Sequence, residues 1–493
     1  MKILIVAQRV DFSRNLDSVM RELCGRGHEI VFLHGTRSDM WPGRLKAAPT
    51  SRVSEDIAGV SSGYRPEPDE PWQMRLRVGR QVINRGVYMR RRHPSPERVV
   101  AGLERNLPDD LRLKIRTPVW RLALGTRAAL RLWRLIEAAS PASETLLRLL
   151  RDVDPDLMVV SPAIGHEDPV EADYLHAART LGIPTLGLIN SWNDLTSKGT
   201  LHLVPDLCVV WNEAMAVEAV EIHDVPADVV RISGAPRLDA VFSTRPRKDR
   251  AGMWTSMGCR GPGHDRPYVL FLCSSRAVWE NETHLVTSVA DALRREFGDE
   301  GPALVVRPHS SNVAAFDDYR HPRVVVYPRG GEHTDPSESW QDYVDQLANA
   351  LCVVGLNTTA FLDAAVADRP CLTIVSDVYW PAQGRTGHFR HLLKGDFLTI
   401  CSSASEVAGN VRRVLDGLDD RSEGRRGFAR WFLRPCGLDT PAGHVVADII
   451  ESAARPRAGV TAIHREGRPL VPGLTLAWEG TTGRRPGRDG FGR

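Results

Sequence analysis

A polar turn of three residues, Asn357-Thr358-Thr359, stands between an apolar run and a run of small residues. The preceding run LCVVGL is short and rich in β-branched residues, which predicts a buried strand. The following run AFLDAAVA is closed off by Arg369-Pro370, which predicts a helix that ends before the proline. Because the first N–H groups of a helix lack intrahelical partners and carry partial positive charge, such a turn could bind a phosphate.

A carboxylate follows this turn closely in the sequence. Asp363 comes four residues after Thr359 and so occupies the same face of the predicted helix, one turn further in. There it would suit the hydroxyls of a ribose whose phosphates rest on the turn. The alternative is an ordinary strand-to-helix crossover with a threonine cap and a solvated aspartate. The local pattern leaves both interpretations open, and the remaining strand ends favour the first.

Two further strand ends in the C-terminal half carry groups that suit phosphates. The segment Cys273-Ser274-Ser275-Arg276 follows the apolar run YVLFL, and its hydroxyls, N–H groups and guanidinium suit a diphosphate. The segment Arg307-Pro308-His309 follows ALVV, and its proline restrains the backbone between the cation and the imidazole. Both side chains could then face a nucleotide phosphate or base. A serine-capped helix and a structural histidine are the alternatives.

Two other polar loops follow predicted strands. The loop SWNDLTSKG, residues 191–199, comes after TLGLIN. Trp192, Asp194 and Lys198 in it could bind an acceptor or transfer a proton, and a helix-capping loop is the alternative. The loop GRTGHFRH, residues 384–391, holds His388 and His391, whose spacing could bind a metal but lacks a third ligand. We expect this second loop to cover a bound donor.

Composition excludes several classes of protein. A chain of 493 residues is too long for one compact core, and 42% hydrophobic with 25% charged residues is typical of globular proteins. The net charge of +3 does not indicate nucleic-acid binding. No apolar stretch reaches the roughly 18–20 residues of a spanning helix, and the N-terminus predicts a first strand rather than a signal peptide.

The eight cysteines form no CxxC pair. Four of them lie inside apolar runs: Cys208, Cys273, Cys352 and Cys371. This pattern predicts buried thiols rather than a zinc site or a disulfide framework, and therefore a cytoplasmic protein.

Strand and helix patterns alternate along most of the chain, which predicts doubly wound α/β domains with parallel sheets. We predict an N-terminal Rossmann-like domain over 1–242, a linker over 243–266 and a C-terminal Rossmann-like domain over 267–456. Residues 457–493, with scattered Gly, Arg and Pro, predict a disordered tail. Two such domains place a cleft at the carboxyl ends of their strands.

An insert of about 70–151 interrupts the first domain. Residues 75–151 hold 18 Lys or Arg and 6 Asp or Glu, a local balance of +12. Apolar residues recur there at helical spacing in VWRLALGTRAALRLWRLIEAA. One interpretation is a basic amphipathic element that rests on an anionic membrane surface or holds a phosphorylated lipid acceptor. The other is a set of packed helices with an arginine-rich solvated face, and the sequence leaves both open.

In the order and spacing of its motifs the chain resembles the GT-B glycosyltransferase superfamily, near the branch with CDP-glycerol glycerophosphotransferases and Kdo transferases. The resemblance covers most of 1–40 and 154–455, but neither the insert nor the tail. It rests on seven segments: SWNDLTSKG (191–199), GAPRLD (234–239), LCSS (272–275), RPH (307–309), LNTTAFLDAA (356–365), TGHFRHLL (386–393) and WFLRPCGLD (431–439).

The resemblance implies a nucleotide-activated donor in the C-terminal domain, an acceptor in the N-terminal domain, and chemistry without a metal or another cofactor. The implied donor-binding residues are Ser274, Ser275, Arg276, Arg307, His309, Asn357, Thr358, Thr359, Asp363 and His388. Trp192 and Lys198 would bind the acceptor. Asp194 and His166, the latter in SPAIGHED, are the candidate general bases, and the sequence does not decide between them.

Three functions fit this sequence. The first is a glycosyltransferase of cell-envelope or surface glycan synthesis, working in the cytoplasm or on the inner face of the plasma membrane. The second is a phosphotransferase that uses a CDP-activated polyol. The third is a non-catalytic scaffold that binds a nucleotide or glycan, although such a protein has no need of a charged cleft.

Overall fold

The computed structural model describes residues 1–9, 13–35, 56–89, 96–104, 107–164, 170–259, 265–330, 337–384 and 386–454. The chain divides into two compact units. Unit 1 is Met1–Asp239 together with the segment that begins at Phe432, and unit 2 is Ala240–Trp431. Each unit is built on a parallel sheet flanked by helices, which confirms the predicted fold class.

Unit 1 contains a seven-stranded sheet in the order β3-β2-β1-β4-β5-β6-β7, with every pairing parallel. The strands are β1 (Lys2–Ala7), β2 (Glu29–His34), β3 (Val60–Tyr64), β4 (Leu157–Ser161), β5 (Thr185–Leu188), β6 (Leu207–Val210) and β7 (Val230–Ile232). The sequence predicted all of them except β3, whose residues VSSGY are mostly exposed and lack an apolar pattern.

The helices of unit 1 include those of the predicted insert, whose described part consists mainly of helices joined by short turns. They are α1 (Ser13–Gly25), α2 (Pro71–Tyr88), α3 (Pro96–Glu104), α4 (Asp109–Ile115), α5 (Pro118–Leu124), α6 (Arg127–Ala139), α7 (Glu144–Val153), α8 (Glu171–Thr180), α9 (Asp194–Ser197) and α10 (Glu213–Glu221). No helix among the described residues is long and apolar enough to cross a membrane.

A buried charge cluster joins the insert to the sheet domain. The Arg80 guanidinium in α2 is fully buried and donates to both carboxylate oxygens of Glu137 in α6, at 2.7 and 2.9 Å. It also donates to both oxygens of Asp173 in α8, at 2.9 and 2.6 Å. The three side chains therefore satisfy one another where α2, α6 and α8 meet.

Many basic side chains of the insert are likewise paired with carboxylates. The described pairs are Arg77–Glu67, Arg85–Glu104, Arg112–Asp109, Lys114–Asp110, Arg116–Glu104, Arg127–Glu221, Arg131–Asp224 and Arg151–Glu144. Several of these acids lie outside residues 75–151, so they offset part of the local +12 balance. The surface of the insert consequently carries less net positive charge than the count of charged residues in its sequence indicates.

Unit 2 contains a six-stranded parallel sheet in the order β10-β9-β8-β11-β12-β13. Its strands are β8 (Tyr268–Leu272), β9 (Ala303–Arg307), β10 (Val324–Val326), β11 (Cys352–Gly355), β12 (Cys371–Ile374) and β13 (Leu398–Cys401). The chain reverses its direction of winding between β8 and β11, and ligands of such sheets bind at the carboxyl ends of the strands at this switch point.

The remaining helices begin with α11 (Asp239–Ser243) at the boundary between the units, followed by α12 (Arg250–Ser256) inside the predicted linker. The others are α13 (Thr283–Phe297), α14 (Ser337–Asn349), α15 (Ala360–Val366), α16 (Phe389–Lys394), α17 (Ala404–Leu415), α18 (Ser422–Phe428) and α19 (Ala442–Ala453). Five of the eight cysteines are buried, including the four in apolar runs, but the prediction of buried thiols is wrong for Cys436, which is exposed, and Cys24 and Cys259 are half-buried.

The last helix corrects the predicted domain boundary, because α19 packs on α1 in unit 1 rather than in the C-terminal domain. The Asp239 carboxylate accepts hydrogen bonds from the Ala442 and Gly443 N–H groups, at 3.0 and 2.8 Å, at the start of α19. The Arg434 guanidinium donates to Asp239 at 2.6 Å. The GAPRLD and WFLRPCGLD segments therefore have a structural role, since together they anchor this returning helix.

Candidate functional site

The predicted donor residues meet at the switch point of unit 2, where β8 and β11 end side by side. The Asn357 N–H, after β11, donates to Ser274 Oγ, after β8, at 3.3 Å. Gly355 permits this close approach, since a Cβ atom there would lie 2.9 Å from the Leu272 carbonyl oxygen of β8. The structure thus joins the two strand ends that the sequence analysis selected independently.

The Asn357 side chain ties this turn to the loop that follows β12. Its amide Nδ2 donates to the Ala382 carbonyl at 2.8 Å and to Thr386 Oγ1 at 3.1 Å, and it lies 3.3 Å from His388 Nε2. Burial lowers the pKa of His388 to about 3, with smaller contributions from His391 and Arg390, so the ring is neutral. His388 thus lies beside the turn, and the prediction that its loop covers a bound donor stays a prediction.

The side-chain amide of Gln383 holds the same loop, and the sequence analysis did not select this residue. Gln383 is fully buried, and its Nε2 donates to the Leu356 and Ile374 carbonyls, each at 3.0 Å, and to Thr373 Oγ1 at 3.1 Å. It therefore fixes the ends of β11 and β12 together. Nothing in the sequence distinguishes it from a solvated loop glutamine.

The helix after the turn differs from the prediction in one respect. Its first N–H groups already have local partners: Ala360 N–H donates to Thr358 Oγ1 at 3.3 Å, Phe361 N–H to the Thr358 carbonyl at 3.2 Å, and Leu362 N–H to the Thr359 carbonyl at 2.9 Å. With seven residues, α15 is also short. The predicted anion site would therefore depend on the hydroxyls of the turn rather than on free helix N–H groups.

Arg307 and Asp363 belong to one buried chain of contacts. Arg307 Nη1 donates to Gln346 Oε1 at 3.1 Å, and the guanidinium carbon lies 4.9 Å from the centre of the Tyr343 ring. The Tyr343 hydroxyl donates to Asp363 Oδ2 at 2.9 Å. Tyr343 and Gln346 lie in α14, whose polar sequence gave no sign of this role.

The half-buried residues at the three strand ends form an outer layer. His309 Nδ1 accepts from the Ser311 N–H at 3.1 Å and lies 2.8 Å from Ser311 Oγ, which in turn accepts from the Arg276 N–H at 3.1 Å. The Arg276 side chain is exposed and pairs with Glu280 on the surface. These contacts connect the end of β9 to the end of β8.

The structure thus separates the ten predicted donor residues into two groups. The outer group, half-buried or exposed, is Ser275, Arg276, His309 and Thr359. The inner group, each at most 8% exposed, is Ser274, Arg307, Asn357, Thr358, Asp363 and His388. The outer group can contact a ligand directly, whereas the inner group holds the strand ends in place.

One buried carboxylate at this site was missed. Glu282, directly before α13, is fully buried, and its Oε2 accepts from the Ser274 N–H at 2.8 Å. Its Oε1 has no hydrogen-bond donor among the described residues. Burial raises the pKa of Glu282 to about 8, although hydrogen bonds from Ser274 and Cys273 act in the opposite direction. A glutamate beside a helix start gives no sequence signal of burial.

Unit 1 contains the residues that were predicted to bind the acceptor or to act as the general base. Asp194 is fully buried, its Oδ2 accepts from the Asn190 and Ser191 N–H groups at 3.0 and 2.8 Å, and its Oδ1 lies 3.2 Å from Lys198 Nζ. The carboxylate therefore caps its own loop, and its role as a general base stays a prediction. Trp192 is buried too, at 2% exposure, whereas Lys198 is half-buried. His166 lies outside the described residues.

No protein-family model matches the chain, and no curated protein matches it by sequence. Solved structures are similar in fold. A Listeria monocytogenes protein assigned as a UDP-N-acetylglucosamine 2-epimerase has a TM-score of 0.50 and 12% identity, and the match covers 91% of this chain and 96% of that one. The Neisseria meningitidis UDP-GlcNAc 2-epimerase, solved with UDP-GlcNAc, has a TM-score of 0.49 and 13% identity over 92% and 100% of the two chains.

The calicheamicin glycosyltransferase CalG4 has a TM-score of 0.44 and 12% identity, and the match covers 93% of this chain and 99% of that one. Identities this low indicate a shared fold and not a shared activity. Together with the two doubly wound sheets, the likeness defines a two-domain α/β fold of the GT-B type.

Proposed function

We propose that this chain is a glycosyltransferase that moves a sugar from a nucleotide-activated donor to a hydroxyl acceptor, and that unit 2 binds the donor. The observation that carries the proposal is the hydrogen bond between Asn357 and Ser274, which brings two predicted phosphate-binding turns together at the switch point. A role in envelope or surface glycan synthesis, near the CDP-glycerol and Kdo transferase branch, is part of the proposal.

In this proposal the residues of the outer group stabilise the leaving group of the reaction. Departure of a nucleoside diphosphate leaves developing negative charge on its phosphate oxygens. The hydroxyls of Ser275 and Thr359 and the Arg276 guanidinium would stabilise that charge electrostatically. Binding of the ribose by Asp363 stays a prediction, since this carboxylate is 6% exposed and its Oδ2 accepts from the Tyr343 hydroxyl.

The first test is a thermal-shift panel with UDP-, GDP- and CDP-linked sugars and CDP-glycerol. We expect one nucleotide class to raise the melting temperature, because a ligand bound to the folded state stabilises it by mass action. Replacement of Thr359 by Val or of Arg276 by Ala should remove this rise with little change in the melting temperature of the free protein. Rises that survive both substitutions would place the nucleotide elsewhere.

The leaving nucleotide separates the competing reactions. Transfer of a sugar breaks the anomeric C–O bond and releases a nucleoside diphosphate. In a CDP-polyol phosphotransferase the acceptor hydroxyl attacks the polyol phosphate and CMP leaves. A sugar epimerase releases neither, and a scaffold turns over nothing. Analysis of the released nucleotide after incubation with the stabilising donor and candidate acceptors therefore separates the two transfer reactions from each other and from a protein that transfers nothing.

We also propose that the insert places the enzyme on an anionic membrane surface, chiefly through apolar contacts. Large apolar side chains are exposed on three successive helices: Leu113, Val119, Trp120 and Leu122 on α4 and α5, and Leu132, Leu135 and Ile136 on α6. Arg131 and Lys114 lie at the surface of the same helices, 68% and 67% exposed. Exposed apolar side chains on helices that also carry basic residues suit the boundary between headgroups and acyl chains.

Because the described basic residues are largely paired, we expect vesicle binding to resist salt more than the sequence alone suggested. Leu122→Asp should abolish sedimentation with vesicles of anionic lipid. The matched control Leu418→Asp alters a leucine of unit 2 that is 51% exposed, and it should have no effect. An absence of vesicle binding even at low salt would mean that the insert is only a packed helical cap. The arginines at 90–92 lie outside the described residues.

A further inference from the structure

A buried acid sits directly beneath the proposed phosphate-binding turn. Glu282 precedes α13, yet its carboxylate makes no cap bond to that helix and points back to the Ser274 N–H instead. The same Ser274 accepts the Asn357 hydrogen bond that joins β8 to β11. Glu282 is therefore one hydrogen bond away from the turn that would hold the donor phosphates.

The surroundings of this carboxylate contain no positive partner among the described residues. Glu282 makes no ion pair in that part of the chain, and its titratable neighbours are Cys273, from the β8 turn, and Tyr379, from the loop after β12. Burial raises the pKa of both the Cys273 thiol and the Tyr379 hydroxyl, and the Glu282 carboxylate raises each further, so both stay neutral. Burial without a cation disfavours the ionised carboxylate.

We propose that binding of a nucleoside-diphosphate donor at the Ser274–Ser275 turn takes up one proton from solvent, and that Glu282 holds this proton. The inference rests on the proposed donor site. A diphosphate on this turn would lie near the carboxylate, because the Ser274 N–H of the turn bonds to Glu282, and a nearby like charge disfavours ionisation. In the bound state Glu282 is thus neutral, and its hydrogen bond from the Ser274 N–H is kept because the carbonyl oxygen of a protonated acid still accepts.

The sign of the pH dependence follows from linkage. Below about pH 8 Glu282 is already protonated in the free protein, so the donor binds without proton exchange. Above that pH the free protein holds an ionised carboxylate, which must gain a proton for the donor to bind. Donor affinity is therefore constant below about pH 8 and falls above it. Once the pH exceeds the pKa of Glu282 in both the free and the bound protein, the total loss is tenfold for each unit by which the bound phosphates raise that pKa.

The stability of the protein without donor should also depend on the ionisation of Glu282. In the unfolded chain Glu282 ionises near the usual value of 4.5, whereas in the folded protein it stays protonated to about pH 8. The folded state thus binds the extra proton between these values, and stability falls as pH rises through that window. Glu282→Gln, which keeps an acceptor for Ser274, should remove this decline. The exposed Glu300→Gln is the matched control and should retain it.

The decisive experiment is calorimetric titration with CDP-glycerol, UDP-N-acetylglucosamine and GDP-mannose in two buffers of different ionisation enthalpy, from about pH 7 to about pH 9. Wild-type protein should take up protons at the upper end and none at the lower end, and Glu282→Gln should take up none at either. Because the wild-type measurement needs no variant, it decides even if Glu282→Gln fails to fold. A donor that binds without proton uptake overturns the role of Glu282 and leaves the donor site standing. Failure of all three probes to bind overturns both.

Discussion

Replacement of Arg80 by Met should lower the free energy of unfolding of unit 1 by about 3–5 kcal/mol, the largest stability effect that we expect. The substitution leaves Glu137 and Asp173 buried without the guanidinium that bonds all four of their oxygens. A buried carboxylate that loses its partner keeps its full desolvation cost. Urea denaturation measures the loss, and hydrogen exchange in α2 and α6 should locate it in the insert.

The matched control for this prediction is Arg151→Met. Arg151 also pairs with a glutamate, Glu144, at 3.2 Å, but both side chains are more than half exposed, at 53% and 62%. Water screens such a pair, and the stability should hardly change. A variant with Arg80→Met, Glu137→Gln and Asp173→Asn together should recover part of the loss, because no unpaired charge remains. Equal stability of Arg80→Met and wild type would show that the cluster is solvated.

Replacement of Asn357 by Ala should weaken donor binding by more than tenfold, which corresponds to more than about 1.4 kcal/mol. The side chain holds the Ala382 carbonyl, Thr386 and His388, and without it the loop after β12 loses its connection to the turn. The buried Ala382 carbonyl and Thr386 hydroxyl would also lose this donor. Calorimetry with the stabilising nucleotide measures the change.

Asn349→Ala is the matched control in the same unit. Its amide donates to the Lys248 and Asp345 carbonyls, each at 2.8 Å, and none of its contacts involves the turn. It should therefore lower stability without lowering donor affinity. If both asparagine variants bind the donor equally well, Asn357 has only a structural role and the loop after β12 does not support the site.

The fold was largely predictable because buried parallel strands are short, apolar and rich in β-branched residues. Runs such as LCVVGL and YVLFL identify β11 and β8 without any tertiary information. The rule that ligands bind at the carboxyl ends of such strands then selected Ser274 and Asn357, which do meet. The sequence analysis missed the exposed strand β3, because an apolar pattern results from burial and not from the backbone geometry of a strand.

The roles of single polar residues were much less predictable. Asp194 follows a strand in a polar loop, as a catalytic base would, yet two backbone N–H groups and Lys198 engage its carboxylate. Asp239, in the GAPRLD segment, anchors α19 from more than two hundred residues away along the chain. In both cases the partner is a backbone N–H group, which every residue except proline carries and no sequence pattern reveals.

The sequence by itself determined two doubly wound domains, the strand ends at which polar groups gather, and the helical nature of the insert. Only the tertiary structure decided which of those groups are accessible and which are bonded to one another. It also decided that the Glu282 carboxylate is buried beside the turn after β8. The physical reason is that secondary structure follows from the periodicity of neighbouring residues, which the chain displays directly. Burial and pairing depend on residues far apart in sequence, and these set the desolvation cost and the charge of each side chain.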